Sequence, residues 1–217
     1  MRGSTSLRRG LAAVGIAAAV TFVIARALDL HALGLVTKPA PVLMLAALVA
    51  AGAEGRDARW IAGGLVLSAA GDLLLELGDG TFLVGIAAFF AAHVAYITAF
   101  IKRRRALLPL RALPFVIYGG AVFIALQPRL AALQAPVALY TAAICLMGWR
   151  ALALLGDGPR QDRLAAAGAL AFIASDTILA FNRFYAPITG ASGAIMGLYW
   201  LGQLGIAAAS WRRPRPP

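Results

Sequence analysis

The chain has 217 residues, of which 61% are hydrophobic and 13% charged, and it carries a net charge of +11. A soluble globular domain holds about 25% charged residues. The composition, with a mean hydropathy of +0.82, therefore excludes that class and describes an all-α polytopic membrane protein, one integral-membrane domain over residues 1–217. A single cysteine, Cys145, rules out an intramolecular disulfide and a cysteine metal cluster.

Apolar windows long enough to cross a hydrocarbon core of about 30 Å recur along the chain. They predict eight transmembrane helices, over about residues 10–29, 38–53, 60–78, 82–101, 107–126, 132–154, 164–183 and 191–211. The first window follows Arg2, Arg8 and Arg9 and contains the small triplet Ala25 to Ala27. That pattern also fits a cleaved signal peptide; the reading adopted keeps it as a span. The second opens with Lys38-Pro39-Ala40-Pro41, which predicts an irregular first turn.

The third window holds LSAAGDLLLEL, with Asp72 and Glu76 four residues apart and hence on one helical face. The fourth carries Phe89, His93, Tyr96 and Phe100 on one stripe. The sixth contains Cys145, read as a packing residue. The seventh holds FIASDTILAF around Asp176, followed by Asn182 and Arg183. In the eighth, Tyr199 and Gln203 form a polar i, i+4 pair beside Trp200.

Basic residues collect on alternate connectors: Arg2, Arg8 and Arg9; Arg56 and Arg59; Lys102 to Arg105; Arg160 and Arg163; and Arg212, Arg213 and Arg215. This is the signature of a membrane topology with both termini cytoplasmic, and it accounts for the net charge without a nucleic-acid partner. Arg111 and Arg150 fall near cytoplasmic helix ends and are expected to snorkel.

GDLLLEL around Asp72 and SDTILAF around Asp176 are similar and lie four spans apart. An even number of intervening spans gives both copies the same direction, so a weak parallel four-plus-four repeat is expected, with halves at about residues 10–101 and 107–211. Counted from their inner helix edges, both aspartates lie about 18 Å into the membrane, and His93 lies within a turn of them. A carboxylate at that depth costs about 2.5–3.5 kcal/mol on insertion scales and normally faces a bundle interior or a wet cavity. Two readings follow for the pair, an interhelical polar clamp or a functional site. His93, Tyr96, Tyr199 and Gln203 have the same two readings, as packing hydrogen-bonders or as site residues. Glu76, one turn nearer the outer surface, is read either as a site residue or as part of a hydrated rim. Lys38 and Arg183, with Asn182 beside it, reach the outer rim, where two cations and an amide suit a phosphate; interfacial snorkelling is the alternative for Lys38.

TKPAPVLML, LSAAGDLLLEL, FFAAHVAY, FIASDTILAF and the final span with YWLGQ resemble, in order, the characteristic segments of the YhhN-like lysoplasmalogenase family of eight-span membrane proteins. The resemblance extends over essentially all the spans, and its specificity lies in the ordered set of KP, GD, H-x-x-Y and SD. It implies hydrolysis of the vinyl ether bond of lysoplasmalogens to a fatty aldehyde and glycerophosphoethanolamine or glycerophosphocholine. The implied partners are a lysophospholipid substrate and membrane lipids. By position, Asp72 and Asp176 are the family's two aspartates, and Lys38, His93 and Tyr96 occupy its other polar positions.

The residue types suit that chemistry. Vinyl ether hydrolysis needs one protonated acid to deliver a proton to carbon and one anion to face the oxocarbenium ion that results, and two neighbouring carboxyls in a dry cavity supply the pair. No metal or organic cofactor is expected. Asp72 and Asp176 are the expected catalytic residues, with His93 as a proton relay or water holder. Lys38, Glu76, Tyr96, Asn182, Arg183, Tyr199 and Gln203 are expected to bind the substrate. Ser68 and Ser175 stand outside any G-x-S-x-G context, which argues against an ester-cleaving nucleophile. A proton-coupled transporter and a non-catalytic lipid-binding protein are the rival classes. In a bacterial cell the plasma membrane would be the expected location.

Overall fold

The computed structural model describes residues 2–52, 56–156 and 159–211, with side chains from Thr5 onward. Arg212, Arg213 and Arg215, which entered the charge pattern, lie outside the described residues, as does the side chain of Arg2. Among the described residues there are nine α-helices and no strand. They are α1 (Arg2–Ala27), α2 (His31–Thr37), α3 (Ala40–Gly52), α4 (Arg56–Glu76), α5 (Phe82–Arg103), α6 (Leu113–Leu126), α7 (Gln134–Leu152), α8 (Arg160–Ala180) and α9 (Ala191–Ala208).

Seven segments are long and apolar enough to span a membrane: Thr5–Ala27, His31–Gly52, Arg56–Glu76, Asp79–Arg103, Pro109–Arg129, Ala131–Leu152 and Arg160–Tyr185. The protein is a multi-pass integral membrane protein. The second segment joins α2 to α3 through Lys38 and Pro39, because prolines at 39 and 41 each remove an amide donor and interrupt the helical ladder. Eight spans were expected. The eighth, α9, has 18 residues and falls outside the set of seven, because Tyr199, Trp200, Gln203 and its glycines dilute the apolar content. It nonetheless packs along the full-length span α8.

The two most extensive helix contacts are α4 with α5 and α8 with α9. Each depends on a glycine at the same place, Gly64 or Gly168. A Cβ at Gly64 would come within 2.3 Å of the Tyr96 ring, and one at Gly168 within 2.6 Å of the Gly202 carbonyl oxygen. Small residues at these crossings let helices approach where there is no hydrophobic drive between them. Half of the α5 span is buried, against 17% for the α1 and α6 spans, so α5 lies at the centre while α1 and α6 face lipid.

At the end of the bundle that carries Arg56 and Lys102 to Arg105, the arginines are tied into the structure. Arg103 pairs with Asp162 and lies 3.8 Å from Asp57, joining the starts of α4 and α8. Arg150 corrects the snorkelling expectation: it is only 1% exposed. Its guanidinium donates to the carbonyls of Arg104, Ala106 and Leu107. The connector after α5 leaves those carbonyls without helical partners, and a planar five-donor group satisfies several at once. Arg111 likewise donates to the carbonyls of Leu152 and Leu155 at the C-terminal end of α7.

Candidate active site

At the opposite end, tight connections bring six helices, α4 to α9, around one space. Gly78, at φ +116°, makes the turn from α4 to α5, and Thr81 closes it by donating to the Leu74 carbonyl at 2.6 Å. Below this turn α4 and α5 run so close that a Cβ at Gly71 would lie 2.5 Å from the Phe89 ring. That contact fixes the rotation of α4 and turns the next residue, Asp72, inward, where it is 3% exposed. On α8, Ser175 uses its hydroxyl to hold the Ile195 carbonyl of α9 at 2.8 Å, and Asp176 follows it on the cavity side.

Both aspartates line a single cavity of about 250 Å³. Its other polar side chains include Tyr140, Ser175 and Tyr199, with Lys38, Asp79 and Arg183 around the mouth; the remainder is largely apolar, from Phe89, Val137, Ile144 and Ile173 among others. Each carboxyl accepts a hydrogen bond from a tyrosine. Tyr199 on α9 donates to Asp72 Oδ2 at 2.7 Å, and Tyr140 on α7 donates to Asp176 Oδ2. Phe172 buttresses the arrangement with edge contacts to Phe89, His93 and Tyr199.

His93 is fully buried and does not line the cavity. It reaches Asp176 through Tyr140, with Nε2 at 3.1 Å from the phenol oxygen. Because the single phenolic hydrogen points to Asp176, His93 Nε2 carries the hydrogen in this contact, which leaves Nδ1 without a partner among the described residues. Tyr140 is the member of this chain that the sequence reading missed. A single tyrosine near the middle of the sixth span was the available signal.

Tyr96 and Gln203 form a separate buried unit behind the wall. Tyr96 donates to Gln203 Oε1 at 2.7 Å and lies 3.3 Å from Ser68 Oγ. Glu76 also stands outside the lining. It accepts from Lys38 Nζ at 2.8 Å and lies 3.4 Å from Arg26 and 3.8 Å from His31. Arg183 pairs with Asp79 and lies over the Phe82 ring. Both rim cations, read from sequence as a phosphate site, thus have carboxylate partners in the structure. Asn182 accepts from the Ile188 amide at 2.7 Å and closes the loop after the π-turn Phe181–Tyr185, so its amide shapes the rim from behind. Ser68 and Ser175 face Tyr96 and a backbone carbonyl, not a base. Among the described residues, no three of His, Cys, Asp and Glu converge in a way that could hold a metal ion.

The model of the YhhN family matches residues 33–210, a stretch that includes every residue of this site. The chain belongs to the YhhN family. Curated relatives include the Bos taurus lysoplasmalogenase TMEM86A, 39% identical over 160 residues that cover 70% of this chain and 65% of the relative. The Sus scrofa lysoplasmalogenase TMEM86B is 36% identical over 186 residues, 84% of this chain and 77% of the relative. A Mycobacterium tuberculosis lysoplasmalogenase is 31% identical over 172 residues, 75% of this chain and 63% of the relative. The chain therefore spans a little under two thirds of the bovine and mycobacterial proteins. No solved structure matches it.

Proposed function

We propose that this YhhN-family protein is a lysoplasmalogenase-type hydrolase that cleaves the vinyl ether bond of a one-chain plasmalogen by carboxyl acid catalysis within the membrane. The observation that carries the reading is the pair of carboxyls, Asp72 and Asp176, brought by α4 and α8 to one apolar cavity and each fixed by a tyrosine hydroxyl. The relatives' name points to the same reaction.

The protonated carboxyl of the pair delivers its proton to the β-carbon of the vinyl ether, and the C=C electrons form the new C–H bond. The positive charge that develops on the adjacent C–O unit faces the second, ionised carboxylate, where a low-dielectric site makes the attraction large. Water adds to the oxocarbenium carbon and gives up a proton to that carboxylate. The hemiacetal then collapses: the second carboxyl passes its proton to the glycerol oxygen as the C–O bond breaks, the hemiacetal hydroxyl gives its proton to the first carboxylate, and a fatty aldehyde and a glycerophospho alcohol leave with the pair back in its starting state. General acid catalysis of this kind contributes about 10²- to 10⁴-fold. Tyr199 and Tyr140 hold the two carboxyls in place, and His93 supports Asp176 through Tyr140.

The rim suits a zwitterionic headgroup. Lys38 and Arg183 offer charge to a phosphate, while Asp79, the exposed partner of Arg183, offers it to an ammonium. On this reading the end with Lys102 to Arg105 faces the cytoplasm and the cavity mouth opens toward the opposite leaflet, in a bacterial cell the outer leaflet of the plasma membrane. The test is aldehyde release from a vinyl-ether lysolipid by the purified protein, with Asp72→Asn and Asp176→Asn as comparators.

A further inference from the structure

A second cavity, of about 450 Å³, lies between α6 and α7 and is almost wholly apolar. It shares Gly119, Thr141 and Cys145 with the aspartate cavity. The partition between the two spaces is thin, since a Cβ at Gly119 would lie 2.6 Å from Cys145 Sγ and 3.4 Å from the Thr141 methyl. Beyond it the groove continues toward the other end of the bundle past Phe115, Leu146 and Trp149, while Phe123 and Ala138 line its near end. Gly120 lines the groove too, and a Cβ there would meet nothing within 4 Å.

We propose that this α6–α7 groove seats the hydrocarbon tail of the substrate while the reacting bond lies between the aspartates. The inference rests on the proposed function for the identity of the lipid, and its geometry is independent of it. Tyr140, bonded to Asp176, marks the carboxyl level on α7, and Trp149 marks the far end of the groove. The helix between them is about 14 Å long at 1.5 Å per residue. A lipid tail occupies half of a hydrocarbon core of about 30 Å, or about 15 Å. The groove thus passes the carboxyl level and runs on beyond it for the length of one tail. Its two walls are two helices, α6 being the lipid-facing one, so it accepts a single chain directly from the bilayer. Rotation of the Cys145 and Thr141 side chains joins groove to cavity while both helices stay in place. Annular bilayer lipid and a second copy of the protein are the competing occupants.

The test uses the full chain in nanodiscs with Trp60, Trp200 and Trp211 changed to Phe, which leaves Trp149 as the only tryptophan. The probe is a non-hydrolysable alkyl-ether lysophosphatidylethanolamine brominated either at the tail end or next to the headgroup. Saturable quenching of Trp149, at least threefold stronger with the tail-end bromine and displaced by unbrominated lysolipid, is expected. Leu146→Phe, or Val116→Phe if the first melts early, narrows the groove about 9 Å beyond Tyr140 and should weaken binding of a 16-carbon tail at least tenfold more than that of an 8-carbon tail. Quenching that is linear and undisplaced would assign the groove to annular lipid. A rise in copies per nanodisc with quenching unchanged would assign it to a second protomer. Equal quenching from both bromine positions, or no effect of either substitution in a folded protein, would also overturn the proposal. Because the probe is not cleaved, these outcomes are separate from whether aldehyde is produced.

Discussion

Replacing Tyr140 with Phe removes one oxygen and preserves the ring, whose centroid lies 5.1 Å from that of His93. Two contacts disappear with it, the donor to Asp176 Oδ2 and the acceptor for His93 Nε2–H. With Asp176 taken as the ionised member of the pair, the hydrogen bond to it contributes about 1.5–3 kcal/mol. If that bond holds the Asp176 carboxyl in its working position, the loss falls on the chemical step, and kcat should drop by about 10- to 150-fold. Asp176 lines the cavity and can be rehydrated, whereas His93 is fully buried, so the stability cost should be that of one unpaired buried group, about 1–3 kcal/mol. At roughly 2–4 °C per kcal/mol for a chain of this size, Tm should fall by about 2–12 °C and the protein should remain folded at 25 °C. The assay is initial-rate aldehyde release in lipid nanodiscs, with Tm measured on the same samples. A kcat within twofold of the parent, or a loss confined to KM, would refute the positioning role of Tyr140.

Asp72→Asn and Asp176→Asn should each lower kcat by 10²-fold or more, read by aldehyde trapping, with Tm close to that of the parent because asparagine can still accept the tyrosine hydrogen bond. Lys38→Ala removes one of the two cavity-mouth cations and leaves Glu76 to Arg26 and His31; KM should rise about five- to tenfold with kcat nearly unchanged, which substrate titration checks. Arg150→Met deprives three carbonyls of their donor. The cost should be about 3 kcal/mol, seen as a Tm lowered by about 6–12 °C. In a Cys145→Ser background, a cysteine at Tyr185 should react from outside the cell with an impermeant maleimide, whereas one at Arg105 should not.

What could be read from the sequence followed from the cost of polar groups in hydrocarbon. Asp72 and Asp176 stood out because an ionisable residue inside an apolar window requires a partner or a cavity, and the structure provides both. Lys38 with Pro39 and Pro41 marked a backbone break, since proline's missing donor acts locally. Tyr140 passed unnoticed because a tyrosine inside a membrane window also serves as packing, and only the fold sets α7 beside α8 so that its hydroxyl meets Asp176. Arg150 was misread for the complementary reason. A helix-end arginine ordinarily reaches water, but here the connector after α5 folds its carbonyls over the guanidinium. The partners of Lys38 and Arg183 were equally hidden, since Glu76 and Asp79 meet them only through contacts between helix ends distant in the chain. In α9 the glycines, Tyr199 and Gln203 that serve packing and the buried hydrogen bonds are the residues that reduce its hydropathy.

The central claim is proton transfer from a carboxyl to the β-carbon of a vinyl ether, and it is tested most directly by running the reaction in D₂O and analysing the products by mass spectrometry after immediate reduction. The account predicts a fatty aldehyde bearing one deuterium on the carbon next to the carbonyl, formed by the parent protein and not by Asp72→Asn or Asp176→Asn. Release of a fatty acid, or of aldehyde with no deuterium at that carbon, would contradict it.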